Sequence, residues 1–211
     1  MPETLIKVCG ITNLDDAECA AEQGADFLGF CFYPKSPRYI SPDCTEWIVN
    51  RLPDDVKKAG VFVNTPVDRM NEIAEQCGLD ILQLHGDESP EVAEMLGLER
   101  VWKALPVWND DDLRLALDYP AAAVLVDSIT ANHRGGTGKT GDWELTARLA
   151  RKRFVVLAGG LTPGNVGAAI RSVHPYAVDV CSGIEKNPGL KDYDRLRQFV
   201  KNVRHTGTHF N

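Results

Sequence analysis

The chain has 211 residues, 44% hydrophobic and 25% charged, a composition that suits one ordinary globular domain, or at most two small ones, with enough length to bury a core. Its 23 Lys and Arg against 30 Asp and Glu give a formal net charge of −7. This argues against nucleic acid or an anionic membrane as the main partner, yet leaves room for an anionic small molecule held by helix N-termini and one or two basic residues.

In chain order, β-branched runs alternate with amphipathic stretches to the end. The expected strands are Leu5 to Cys9, Phe27 to Phe32, Lys58 to Val63, Ile81 to Leu84, Val101 to Leu105, Ala123 to Asp127, Phe154 to Ala158 and Ala177 to Cys181. Helix starts are marked by Asn13 before Leu14-Asp15-Asp16, by Pro66 before Val67 to Cys77, by Ser89-Pro90-Glu91 and by Thr162-Pro163. Eight β/α units of roughly 26 residues each suit a single parallel (β/α)8 TIM barrel; a doubly wound open sheet would give the same alternation. No linker divides the chain, so residues 1–204 read as one catalytic domain and the polar stretch 205–211 as a flexible tail.

No run reaches the roughly 18 consecutive apolar residues of a membrane span. Met1-Pro2-Glu3-Thr4 lacks a basic-then-apolar leader pattern, so a cytoplasmic location is expected. The six cysteines Cys9, Cys19, Cys31, Cys44, Cys77 and Cys181 are scattered, with no Cys-x-x-Cys and no clustered His. Neither a zinc site nor a disulfide framework is suggested, and most should be reduced and structural.

Barrel function sits at the C-terminal ends of the strands, and strand parity says which residues point inward. Lys7 and Cys9 share a face on the first strand, Gln83 and His85 on the fourth, Leu125 and Asp127 on the sixth, and Asp179 and Cys181 on the eighth. Ionisable groups thus recur at the last inward positions. Cys9, followed by Gly10, should stand at the mouth, where Lys7 would favour a thiolate able to act as nucleophile or base; a small buried hydrophobe is its other reading. Asp127 ends an apolar strand, where desolvation can raise a carboxyl pKa and make it an acid, or where it can simply cap a loop.

Two small-residue loops, Leu157-Ala158-Gly159-Gly160-Leu161-Thr162 and Val180-Cys181-Ser182-Gly183-Ile184-Glu185, follow the seventh and eighth strands. Backbone amides there can approach an anion, and a phosphate site in these two loops recurs in this fold. Arg38, in the proline-stiffened loop Tyr33-Pro34-Lys35-Ser36-Pro37-Arg38-Tyr39, could take a substrate carboxylate through two parallel hydrogen bonds. The stretch His133 to Gly141 ends in Gly138-Lys139-Thr140 but has His133 where a P-loop needs its first glycine. A glycine-hinged lid is the better functional reading.

The runs Ile6-Lys7-Val8-Cys9-Gly10-Ile11-Thr12, Gly29-Phe30 with Tyr33 to Arg38, Gln83-Leu84-His85-Gly86, Val126-Asp127-Ser128, Gly135 to Thr140 with Asp142-Trp143, Ala158-Gly159-Gly160-Leu161 and Asp179 to Glu185 together resemble the phosphoribosylanthranilate isomerase family of tryptophan biosynthesis. The resemblance runs in order over nearly the whole chain. It implies a (β/α)8 barrel that carries out an Amadori rearrangement without metal or organic cofactor, on a small phosphosugar substrate, as a monomer or homodimer. By the same resemblance Asp127 is the general acid at the ribose ring oxygen and Cys9 the general base at C2. Arg38 would meet the anthranilate carboxylate, Gly159, Gly160, Ser182 and Gly183 the phosphate, and His85 and Asp179 would line the pocket. Two positions depart from the family pattern: Gly141 where an aromatic commonly precedes Asp-Trp, and Cys181 where Ser is common.

The homologous aldose–ketose isomerisation of histidine biosynthesis uses a carboxylate on the first strand, and Cys9 in that place argues against it. A non-catalytic phosphosugar sensor built on the last two loops would bind without turnover and would not need Cys9 or Asp127.

Overall fold

Each of the eight β-branched runs is a strand in the computed structural model, which describes residues 3–127 and 143–207. The glycine-rich stretch His133 to Gly141, with Ser128 and Asp142, lies outside the described residues, and so do residues 208–211. The order is β1 Leu5–Cys9, α1 Leu14–Glu22, β2 Phe27–Cys31, α2 Pro42–Val49, β3 Lys57–Phe62, α3 Val67–Gln76, β4 Ile81–Leu84 and α4 Pro90–Leu96. It continues with β5 Val101–Leu105, α5 Asp110–Asp118, β6 Ala123–Asp127, α6 Trp143–Ala150, β7 Val155–Ala158, α7 Val166–Val173, β8 Ala177–Val180 and α8 Tyr193–Gly207. A small antiparallel hairpin, β9 Glu185–Asn187 and β10 Leu190–Lys191, is inserted before α8.

Neighbouring strands are parallel in chain order, and β8 returns to β1 with Lys7 opposite Asp179 and Val8 opposite Val180. The sheet is therefore a closed barrel, not an open doubly wound sheet. Strand parity explains the closure. Outward residues such as Ile6 and Val8 cluster with Ala17 and Ala20 of α1 and Phe199 of α8, while Phe27, Trp102, Ala123, Leu125, Val156 and Ala177 form a separate cluster that fills the barrel's lower interior. Phe27 and Trp102 meet edge to face within it, at 4.9 Å. On β1, β4, β6 and β8 the next inward residues beyond this layer are Lys7, Gln83, Asp127 and Asp179, so on these four strands polarity begins where the apolar filling stops.

Most helix starts fall where the caps place them. Asn13 Oδ1 accepts the Asp16 N–H at 2.8 Å ahead of α1, and Ser89 precedes Pro90 at the start of α4. The seventh differs: Thr162-Pro163 does not open α7, which begins at Val166. Asn165 is the reason, since its Oδ1 accepts the Thr162 N–H at 2.8 Å and its Nδ2 donates to the Gly160 carbonyl at 2.9 Å. The intervening residues form a turn that braces the loop after β7. Strand ends shift by one residue at β2, β3, β7 and β8; Cys181, at φ −132° and ψ −89°, already turns into the 3-10 segment Ser182–Ile184. Helix α8 runs to Gly207, with Thr206 Oγ1 donating to the Asn202 carbonyl at 2.7 Å.

Candidate active site

The barrel mouth encloses a cavity of about 350 Å³, lined by all nine residues singled out in the sequence: Cys9, Arg38, His85, Asp127, Gly159, Gly160, Asp179, Ser182 and Gly183. They come from the ends of six different strands, which is how this fold assembles a site from short local segments. Among the described residues no three His, Cys, Asp or Glu side chains converge as a metal site.

Lys7 is fully buried, with Nζ 3.0 Å from Asp179 Oδ1. Burial alone would push its pKa down, but the charges of Asp179 and Cys9 hold it above the ordinary lysine value. Beside it, Cys9 is lowered to about 6, first by the hydrogen bond from the Cys181 thiol and then by the Lys7 charge, which together outweigh burial. Cys181 moves the opposite way, because its hydrogen bond to Cys9 and its own burial both favour the thiol. The two thiols titrate as a pair, and the Lys7 ammonium favours ionisation at Cys9 over Cys181. Gly29 makes room for this arrangement, since a Cβ there would stand 2.8 Å from Cys9 Sγ and 3.0 Å from Lys7 Nζ.

His85 is kept below its ordinary pKa chiefly by burial and is neutral near pH 7. Its Nδ1 lies 3.0 Å from Gln83 Nε2. Asp127, the last residue of β6, faces the same cavity from the far side of β7 and β8. The floor next to it is formed by the two small-residue loops. Gly159 and Gly160 take φ of 84° and 64°, and a Cβ on Gly183 would overlap the Leu161 carbonyl oxygen. The two loops therefore pack backbone against backbone, with Gly159, Gly160, Leu161, Ser182 and Gly183 along the cavity wall.

Arg38 lies at the cavity with its guanidinium already engaged. Nε donates to Glu185 Oε1 at 2.8 Å and Oε2 at 3.1 Å, and Nη2 donates to Oε2. Sequence reasoning assigned no role to Glu185 or Lys191. Lys191 is wholly buried, donating from Nζ to the Cys9 carbonyl at 2.6 Å and to Glu185 Oε1 at 3.1 Å. Burial works against the Glu185 charge, but hydrogen bonds from Arg38 and Lys191 bring its pKa down to about 2. A second buried pair, Lys103 Nζ to Glu88 Oε2 at 2.8 Å, braces the loop after β4, where Glu88 also accepts the N–H groups of Asn64 and Gly86. No sequence pattern separates these lysines from solvated ones; only the placing of Lys103 within an apolar strand hints at it.

The family model for N-(5'phosphoribosyl)anthranilate (PRA) isomerase matches residues 6–202. The N-(5'-phosphoribosyl)anthranilate isomerase of Pelobacter propionicus is 45% identical over 95% of this chain and 96% of its own. The crystal structure of the phosphoribosyl anthranilate isomerase from Thermotoga maritima superposes with a TM-score of 0.88 at 45% identity, covering 96% of this chain and 99% of that one; a further structure from that organism describes the enzyme as dimeric. A phosphoribosyl anthranilate isomerase in complex with reduced 1-(o-carboxyphenylamino)-1-deoxyribulose 5-phosphate gives a TM-score of 0.86 at 42% identity, over 96% of this chain and 99% of that one. The chain belongs to the N-(5'-phosphoribosyl)anthranilate isomerase family.

Proposed function

We propose that the barrel mouth converts N-(5-phosphoribosyl)anthranilate to 1-(2-carboxyphenylamino)-1-deoxyribulose 5-phosphate, the Amadori step of tryptophan biosynthesis, with Asp127 as general acid and Cys9 as general base. The observation that carries this reading is the gathering of Cys9, its thiol beside the Lys7 ammonium, and Asp127 in one cavity whose wall includes the two small-residue loops. Asp127 gives a proton to the ribose ring oxygen as the C1–O bond breaks, and the anthranilate nitrogen supplies the electron pair that makes the Schiff base. Cys9 then removes the C2 proton; the electrons of that bond neutralise the iminium and leave an enolamine. Loss of the C2 hydroxyl proton and protonation at C1 give the aminoketose. Atoms and electrons balance without an oxidant or reductant, so an acid and a base suffice.

Lys7 has two uses in this scheme. Its charge stabilises the Cys9 thiolate before proton transfer, and its ion pair fixes Asp179 at the cavity wall. Arg38 receives the anthranilate carboxylate. The amides of Gly159, Gly160 and Gly183, with Ser182, hold the phosphate, and His85 lines the cavity wall. The barrel acts as one catalytic domain that includes α8 to Gly207, three residues beyond the boundary expected at 204, in the cytoplasm, as a monomer or homodimer.

The test is loss of anthranilate-type fluorescence when the purified protein meets freshly made phosphoribosylanthranilate, with Asp127→Asn as control. Rapid loss absent from the control is the expected result. Tight binding of the reduced product analogue without turnover would instead make the protein a phosphosugar sensor.

A further inference from the structure

Arg38 has five N–H donors arranged on two usable edges of a planar group. Glu185 occupies the side edge, formed by Nε and Nη2. The terminal edge, formed by Nη1 and the second Nη2 proton, is used by no other hydrogen bond among the described residues, and the guanidinium lines the cavity. Glu185 is not a loose surface carboxylate. Its side chain is 5% exposed, and Oε1 also accepts from Lys191 Nζ at 3.1 Å and from the Gly189 N–H at 3.2 Å. The hairpin that carries Lys191 is itself anchored, because Asp16 Oδ2 accepts the Lys191 N–H at 2.9 Å.

Charge points the same way as geometry. An isolated Arg–Glu pair carries no net charge and would offer little to a second carboxylate. Lys191 makes the cluster two cations and one anion, so it stays net positive while Arg38 is held in one orientation. Burying Glu185 and Lys191 beside a ligand cavity is costly unless each is held by several partners, as these are.

We propose that Glu185, backed by Lys191, is a positioning residue that presets the terminal edge of Arg38 as a fork for the substrate's aryl carboxylate, and so makes the site prefer a carboxylate-bearing aminosugar over one lacking that group. This rests on the function given above. The gain is preorganisation: the side-chain entropy of Arg38 is lost on folding and not on binding.

The test compares two substrates, N-(5-phosphoribosyl)anthranilate and N-(5-phosphoribosyl)aniline, which differ only by the carboxylate. The Glu185→Gln/Lys191→Met protein keeps the cluster's net charge, with Arg38 as its one remaining ion, but removes the carboxylate that holds it. Its preference for the carboxylate substrate, as a ratio of kcat/KM values, should fall about tenfold, carried by KM, as for loss of a hydrogen bond between charged groups. Glu185→Gln alone makes the cluster more positive. If orientation governs, the preference still falls; if it rises, Glu185 only tunes charge and the proposal fails. Equal losses on both substrates, or no loss on either, also overturn it. A wild-type protein inactive on both substrates would remove the proposed function instead, so the two failures are distinguishable.

Discussion

The lower and upper halves of the barrel interior follow the same inward alternation and hold opposite chemistry. Below, Phe27, Trp102, Leu125 and Val156 fill the barrel with apolar side chains. Above, Lys7 pairs with Asp179, and on the inserted β9–β10 hairpin that reaches the Cys9 carbonyl Lys191 pairs with Glu185. Apolar filling stabilises at about 25 cal/mol per Å² removed from water, whereas buried ion pairs at best roughly offset their desolvation. The lower half is therefore a stability device. The upper half keeps charges that folding alone does not need, which marks it as the part shaped by chemistry.

Substitutions in the two halves should separate cleanly. Asp127→Asn and Cys9→Ser should each lower kcat at least about a hundredfold with little change in thermal midpoint; near-normal kcat in either variant would remove that residue from its role. Trp102→Ala, below, should do the reverse and destabilise by about 3–5 kcal/mol, while kcat per folded molecule stays near wild type. Denaturant unfolding beside active-site titration checks it. Smaller is the effect of Arg38→Ala, which should raise KM about tenfold and leave kcat nearly unchanged if the carboxylate is held equally in ground and transition states.

Smallest is a pH effect on stability. Glu185 is depressed from its ordinary 4.5 to about 2, so its contribution is complete above 4.5 and is lost as pH falls through 2. Acid unfolding of Glu185→Gln should accordingly be shallower than that of wild type between those values. Identical acid limbs would mean that the carboxylate is not held as described.

The strands are legible in the sequence because a period of two survives short windows, and the gathering of the nine candidate residues at one cavity because they sit at strand ends or in the loops that follow. What escaped was non-local. Arg38 meets Glu185 across 147 positions, and Lys191 reaches the Cys9 carbonyl across 182; no local pattern encodes such pairs. Sequence gave Arg38 a carboxylate ligand and missed that the protein supplies the first one itself. The start of α7 was misplaced for a related reason: Thr162-Pro163 is a sound opening signal, and only the folded loop reveals that Asn165 uses those residues as a brace. The departure at Cys181 concerned local polarity in the sequence, and in the structure its Sγ lies beside Cys9 and 3.6 Å from Glu185 Oε1. The Gly141 departure and the lid assigned to His133 to Gly141 lie outside the described residues.

Whether the mouth keeps Cys9 as a thiolate is read by ultraviolet titration of the thiolate, taken as the difference between wild type and Cys9→Ser, beside the pH dependence of kcat/KM. One thiolate should titrate near 6, and kcat/KM should fall about tenfold per pH unit below the same point. A titration at the ordinary thiol value of about 8.5, or an acid limb that does not follow it, would contradict the account.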